Sequence, residues 1–95
     1  DKTYSIIVAS GQKNIILWGS EELAELCYIM SRGLPLKIVG VIGFNGRKKF
    51  FKCKVYSKDK LKNIKFDAIL VATFDEKEIA ELKDIDAKVY YLWQI

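Results

Sequence analysis

The stretch from Asn14 to Ile42 constrains the fold more than any other part of the chain. Asn14-Ile15-Ile16-Leu17-Trp18 is a continuous apolar run that stops at Gly19, the pattern of a strand buried on both faces. Ser20 is placed to cap a helix, and Glu21 and Glu22 suit its positive first turn. Leu23, Leu26, Cys27 and Met30 recur at helical spacing and are expected to form the buried stripe. Arg32 complements the last turn, Gly33 suits the position just past the helix, and Pro35 blocks its continuation. A second apolar run, Leu36 to Ile42, follows at once. Strand, helix and strand in this order make a βαβ unit, whose two strands lie parallel.

The remaining segments extend the same architecture. Gly43 to Lys49 reads as a loop with turn chemistry at Asn45-Gly46, and Phe50 to Tyr56 as a short edge strand with Lys52 and Lys54 facing water. Ser57 to Leu61 reads as a capped short helix, Phe66 to Ala72 as another buried strand, and Glu76 to Ile85 as a helix with Ile79, Leu82 and Ile85 inward. Lys88 to Leu92 closes with a strand. Residues 1–12 are left as a linker or an added strand over Tyr4 to Ala9, and residues 13–95 as the domain proper. The fold class expected is α/β, a small three-layer domain with a mostly parallel sheet.

Ninety-five residues hold one core, and with 51% hydrophobic and 29% charged residues the chain has the apolar surface to build it. The first residue is Asp1 and the last four are the largely apolar Leu92 to Ile95, so the chain is read as a piece of a longer protein, with Trp93 to Ile95 a candidate contact surface. No apolar run approaches the ~18 residues of a membrane span, and a cytoplasmic location is expected. There is no histidine, which removes Ser-His and Cys-His nucleophile pairs and imidazole metal ligands. Cys27 and Cys53 form no CxxC pair and cannot make a four-ligand zinc site alone. Cys27 is expected in the core, and Cys53 partly exposed with its acidity raised by Lys52 and Lys54.

The net charge of +4 conceals an asymmetry. Residues 32–65 carry eleven Lys or Arg against Asp59 alone, while the two flanks are net acidic. The basic residues are 14 Lys to 2 Arg, whereas phosphate readers favour the Arg fork. The basic middle is therefore read first as a solvated face. Phe50, Phe51 and Tyr56 alternate with lysines as strand faces do, and nucleic acid is expected only through a domain outside these residues.

A strand that ends in glycine and opens a helix invites comparison with the dinucleotide-binding turn. Its three glycine positions are occupied here by Gly19, Glu21 and Ala24. The second glycine lets a pyrophosphate lie on bare backbone at the helix N-terminus, and Glu21 puts bulk and negative charge there. The acid that would grip a ribose at the end of the second strand is replaced by Gly43. Two recognition devices are absent together, so the standard NAD pose is not expected. Tyr56 and Lys60 match the Tyr-x-x-x-Lys spacing of short-chain dehydrogenases, but Tyr56 ends a strand, so the match is read as coincidence. Thr73-Phe74-Asp75-Glu76 follows a strand end, where Thr73 or Asp75 can cap the next helix. Trp18 and Phe44 are read as packing.

Leu17 to Leu26, followed by Lys37-Ile38-Val39-Gly40-Val41-Ile42, resembles a family of Rossmann-like, CoA- or NAD-binding-like domains. These occur as C-terminal regulatory domains of winged-helix transcriptional regulators and at the N-termini of sugar O-acyltransferases and nucleotide-sugar dehydratases. Ala24 to Tyr28, Gly46 to Phe51, Val55-Tyr56-Ser57 and Phe66 to Ala72 are most similar to the regulator branch. The resemblance covers about residues 13–92, and the chain departs from the family pattern at Glu21 and Gly43. It implies a non-catalytic regulatory or sensory domain that binds a small effector near Gly19, Ser20, Glu21, Gly43 and Thr73, or mediates homo-oligomerisation. The alternatives are an accessory nucleotide- or nucleotide-sugar-binding domain of a sugar-modifying enzyme, and a structural protein-interaction module. No metal or catalytic residue is expected.

Overall fold

The computed structural model describes residues 2–44, 46 and 49–92. Helix α1 (Lys2–Ala9) leads into β1 (Asn14–Trp18), α2 (Glu22–Ser31) and β2 (Lys37–Ile42). A short hairpin of β3 (Lys49–Phe50) and β4 (Cys53–Tyr56) follows, then a 3-10 turn (Lys58–Asn63) and β5 (Ala68–Val71). Helix α3 (Glu76–Ala80) runs directly into a second 3-10 turn (Glu81–Asp84), and β6 (Val89–Tyr91) ends the domain. The strands make one sheet in the order β3-β4-β2-β1-β5-β6. All neighbouring pairs are parallel except the hairpin β3–β4, where Phe50 faces Cys53.

The central strands explain why the sheet has two covered faces. Ile15, Ile16, Leu17 and Trp18 of β1, and Ala68 to Val71 of β5, are all fully buried. Alternation divides them between two cores. Ile15, Leu17, Ala68 and Leu70 join Tyr4 and Ile7 of α1, Ala24 and Cys27 of α2, and Phe50. Ile16, Trp18, Ile69 and Val71 join Leu61 and Leu82 from the two 3-10 turns on the opposite face. The result is an α/β domain of three layers. Residue-level register is not uniform: β2 gains one residue relative to β1 between Ile15 and Ile16, leaving Val39 without a partner in that pairing.

Residues 2–9, read from sequence as a linker or an added strand, form a helix docked on the sheet. The Tyr4 hydroxyl donates to the Cys27 carbonyl of α2, and the Thr3 hydroxyl donates to the Tyr91 and Leu92 carbonyls at 3.2 and 3.0 Å. Tyr4 and Ile7, one turn apart, are the apolar anchors, and burial raises the Tyr4 hydroxyl pKa. The strand expected over Phe50 to Tyr56 is broken into a hairpin, because Phe51 takes a positive φ of 53° and turns the chain back. Asp67 ties the start of β5 to β1: its carboxylate accepts from the Lys13 and Asn14 amides at 3.0 and 2.8 Å, which holds its pKa below the usual value. Among the described residues no helix is long and apolar enough to cross a membrane. Residues 93–95, a candidate contact surface in the sequence reading, and Asn45 of the expected turn lie outside the described residues. Gly46 beside Asn45 has φ +80°.

The two buried tyrosines of the α1 face offer a contrast. Tyr4 has a hydroxyl partner, whereas the buried Tyr90 hydroxyl has none among the described residues. Removing a bonded hydroxyl costs about 1 kcal/mol, while removing an unsatisfied one is neutral or stabilising. Tyr4→Phe is therefore expected to lower the thermal midpoint by roughly 4–8 °C, and Tyr90→Phe to leave it unchanged or raise it, by calorimetry on the two variants.

Candidate functional site at the strand ends

The chain leaves β1 to one face of the sheet through α2 and leaves β5 to the other through α3. Between these two strands the winding reverses, and in open α/β sheets ligands bind beside the carboxyl ends at such a point. The five residues singled out from sequence gather at this edge. Gly19 follows β1 with φ +119°, a conformation that favours glycine. A Cβ there would lie 2.8 Å from the Ala72 carbonyl oxygen and 3.0 Å from the Thr73 Cβ. Its amide donates to the Ile42 carbonyl at 2.8 Å. The glycine thus lets the turn press against the end of β5, and its open side is filled by protein.

Ser20 is buried at 2% exposure and Gly43 stands directly beside it. A Cβ on Gly43 would lie 2.6 Å from Val55 Cγ1 and 3.0 Å from Ser20 Oγ, so the position at which a dinucleotide-binding fingerprint carries an acid has no room here for a side chain. The Gly43 amide donates to the Tyr56 carbonyl at 2.9 Å. Ser20 does not cap α2 as the sequence suggested: the N-cap is Glu21, in extended geometry with no side-chain capping bond. After β5 the capping expectation holds, since Asp75 caps α3 by accepting from the Lys77 and Glu78 amides at 2.9 and 3.4 Å. The Thr73 hydroxyl in turn accepts from the Asp75 amide at 3.1 Å.

Two separate hollows result. One, of about 630 Å³, lies between α2 and the turn after β5, lined by Glu21, Glu22, Leu23, Leu26, Thr73 and Phe74 together with Ala72. Gly43 lines a different one of about 530 Å³, with Phe44, Tyr56 and Lys58 on its walls. Glu21 and Thr73 therefore share a hollow that Gly43 does not line. Both charges on the first hollow are acidic, which repels a phosphate. Phe44 packs edge-on against Trp18 with ring centres 5.5 Å apart, and the Trp18 indole donates to the Glu78 carbonyl at 2.7 Å, so this pair is core structure.

The hollow also shows what sequence reasoning missed. Leu26 was expected in the buried stripe of α2, but it is 50% exposed, as are Ile29 at 52% and Phe74 at 67%. The buried face is Ala24, Cys27 and Ser31, whose small side chains let the helix lie close to the sheet. Both stripes have helical spacing, so periodicity alone does not choose between them. An excess of apolar residues around the helix was the available signal.

Both cysteines are free thiols, Cys27 buried and Cys53 half-buried. Burial pushes the Cys27 thiol up to about 12. Burial also raises Cys53, against the expectation that Lys52 and Lys54 would lower it; Tyr28 and Lys37 pull it back only in part. No group of three or more His, Cys, Asp or Glu able to hold a metal occurs among the described residues. Tyr56 lies in β4 and Lys60 in a 3-10 turn, so the two do not share a helix face. Compared with known proteins, the chain matches no family model and no curated sequence.

The fit around Gly43 is testable. Gly43→Asp, which puts an acid at the end of β2, is expected to destabilise the domain by about 1–3 kcal/mol without creating nucleotide affinity, read by thermal melts with and without NAD.

Proposed function

We propose that this chain is a non-catalytic regulatory domain of a larger protein and that it acts by pairing with a second copy through the face built by α2 and the turn after β5. The observation that carries this reading is the exposed apolar pair Leu26 and Phe74 lining the hollow beside the reversal point, with Ile29 exposed further along α2. Leu26 and Ile29 lie one helical turn apart, on the outer side of α2. Large apolar groups grouped on a surface are a mark of association. A two-fold arrangement buries the same patch on both copies, as most homo-oligomers do, and leaves Glu21 and Glu22 at the rim.

Effector binding at the same hollow is the second reading, favoured by its volume of about 630 Å³. With Glu21 and Glu22 as its charges, the ligand suited to it is apolar with a cationic or neutral head. A nucleotide-sugar is less suited, because its diphosphate would meet both acids. The sequence resemblance supports placing the domain in a winged-helix transcriptional regulator, with DNA contacts made by another part of that protein.

Native mass spectrometry and sedimentation test the pairing. The wild-type chain is expected to dimerise, and more tightly as salt rises, since salt screens the repulsion between acidic rims. Leu26→Glu is expected to weaken the dimer on the order of a hundredfold while the far-ultraviolet dichroism stays unchanged. A wild-type monomer at millimolar concentration, or a dimer indifferent to the substitution, would overturn the proposal.

A further inference from the structure

The far end of α2 holds a second constellation. A pocket of about 290 Å³ lies where α2 ends, β2 begins and the β3–β4 hairpin turns, and Arg32, Lys37 and Lys52 line it. Tyr28, Ser31 and Cys53 complete its polar lining, and no carboxylate lines it. Three cations come from three different elements, so chance clustering along one charged run does not explain them. The Ser31 hydroxyl donates to the Tyr28 carbonyl at 2.6 Å.

The hairpin that delivers Lys52 is held in an unfavourable backbone conformation. Its turn consists of Phe51 and Lys52 between the paired residues Phe50 and Cys53. Phe51 has φ +53° at the first turn position, where a two-residue turn with positive φ ordinarily takes glycine. An aromatic residue persists there because its ring stacks on Tyr28, with centres 4.8 Å apart and planes 9° from parallel. Tyr28 in turn meets Phe50 edge-on at 6.0 Å. Local strain of this kind concentrates at ligand clamps. Here the stacked pair fixes the hairpin tip to α2 beside the three cations.

We propose that this pocket binds a phosphorylated small molecule through its phosphoryl group. Arg32 supplies a planar fork for two oxygens, and Lys37 and Lys52 supply point charges. The negative end of the α2 dipole lies nearby and opposes an anion, but a partial charge does not cancel three full ones. The volume suits a phosphomonoester with a small organic body, and the Phe51–Tyr28 pair at the edge offers an apolar surface for that body. The site stands at the opposite end of α2 from the hollow beside Glu21, so it does not depend on the pairing proposed above.

Inorganic phosphate and phenyl phosphate are the probes, titrated at low salt into the 15N-labelled chain with chloride as control. Saturable shifts are expected at the amides of residues 31–38 and 51–54, with phenyl phosphate the tighter. Lys37→Gln and Lys52→Gln are each expected to weaken binding roughly tenfold, with dispersion of the remaining spectrum unchanged. Saturating phenyl phosphate is also expected to slow the reaction of Cys53 with a thiol reagent, while the buried Cys27 stays inert throughout. Shifts spread over all lysine-bearing surfaces and indifferent to both substitutions would overturn the proposal. So would a single-stranded oligonucleotide that binds more tightly than phenyl phosphate, which would make the face a nucleic-acid surface.

Discussion

The close approach of the Gly19 turn to the end of β5 is the contact on which the rest of the domain depends. Trp18 and Val71 are parallel neighbours, and the Ala72 amide continues their ladder by donating to the Trp18 carbonyl at 2.9 Å. One residue later β1 must leave the sheet to enter α2. With φ +119° and the Ala72 carbonyl 2.8 Å from the position of a Cβ, only glycine makes that exit without displacing β5. The same contact sets the separation of α2 from the turn holding Thr73 and Phe74, and so the width of the hollow between them.

From this constraint the chemical character of the strand ends follows. In a dinucleotide-binding turn the space outside the glycines is left for pyrophosphate. Here Gly19 makes only the tight turn against Ala72 and Thr73, Ser20 is buried beside Gly43, and Glu21 holds the N-cap position of α2, where the second glycine would bare the backbone, without a side-chain capping bond. Val55 takes the room in which an acid at position 43 would stand. What the edge presents to solvent is apolar: Leu26 and Phe74, flanked by Glu21 and Glu22. Such a surface suits another apolar surface better than a phosphate. The positive charge of the chain lies elsewhere, and at the end of α2 it converges on the pocket beneath the β3–β4 hairpin.

Much of the fold was legible in the sequence because its buried strands are short, continuous apolar runs bounded by glycine, proline and capping residues. Ile15 to Trp18 and Ala68 to Val71 could hardly be placed anywhere but the centre of a sheet, Asp75 caps α3 through its carboxylate, and Gly33 ends α2 through the positive φ that its missing Cβ permits. Three features were not legible. Helix α1 has a weak amphipathic pattern in eight residues, and it is held by long-range bonds from Thr3 and Tyr4 that no local signal reveals. The buried side of α2 depends on how near the sheet the helix can lie, which small residues decide and periodicity does not. The hairpin turn at Phe51 violates the rule for its position, because a tertiary stack on Tyr28 outweighs the local preference. At the candidate site, sequence brought the five residues to one edge but did not show that Ser20 is buried or that Gly43 faces a different hollow.

The most direct test of a strand-end turn that rejects phosphate is a titration of the 15N-labelled chain with NAD and ADP, read at the amides of residues 19–22 and 43. No saturable shift at those amides is expected, because Glu21 stands where the second glycine would bare the backbone and its carboxylate repels the diphosphate. A saturable shift centred on them would mean that the turn takes a diphosphate despite Glu21 and would contradict the account.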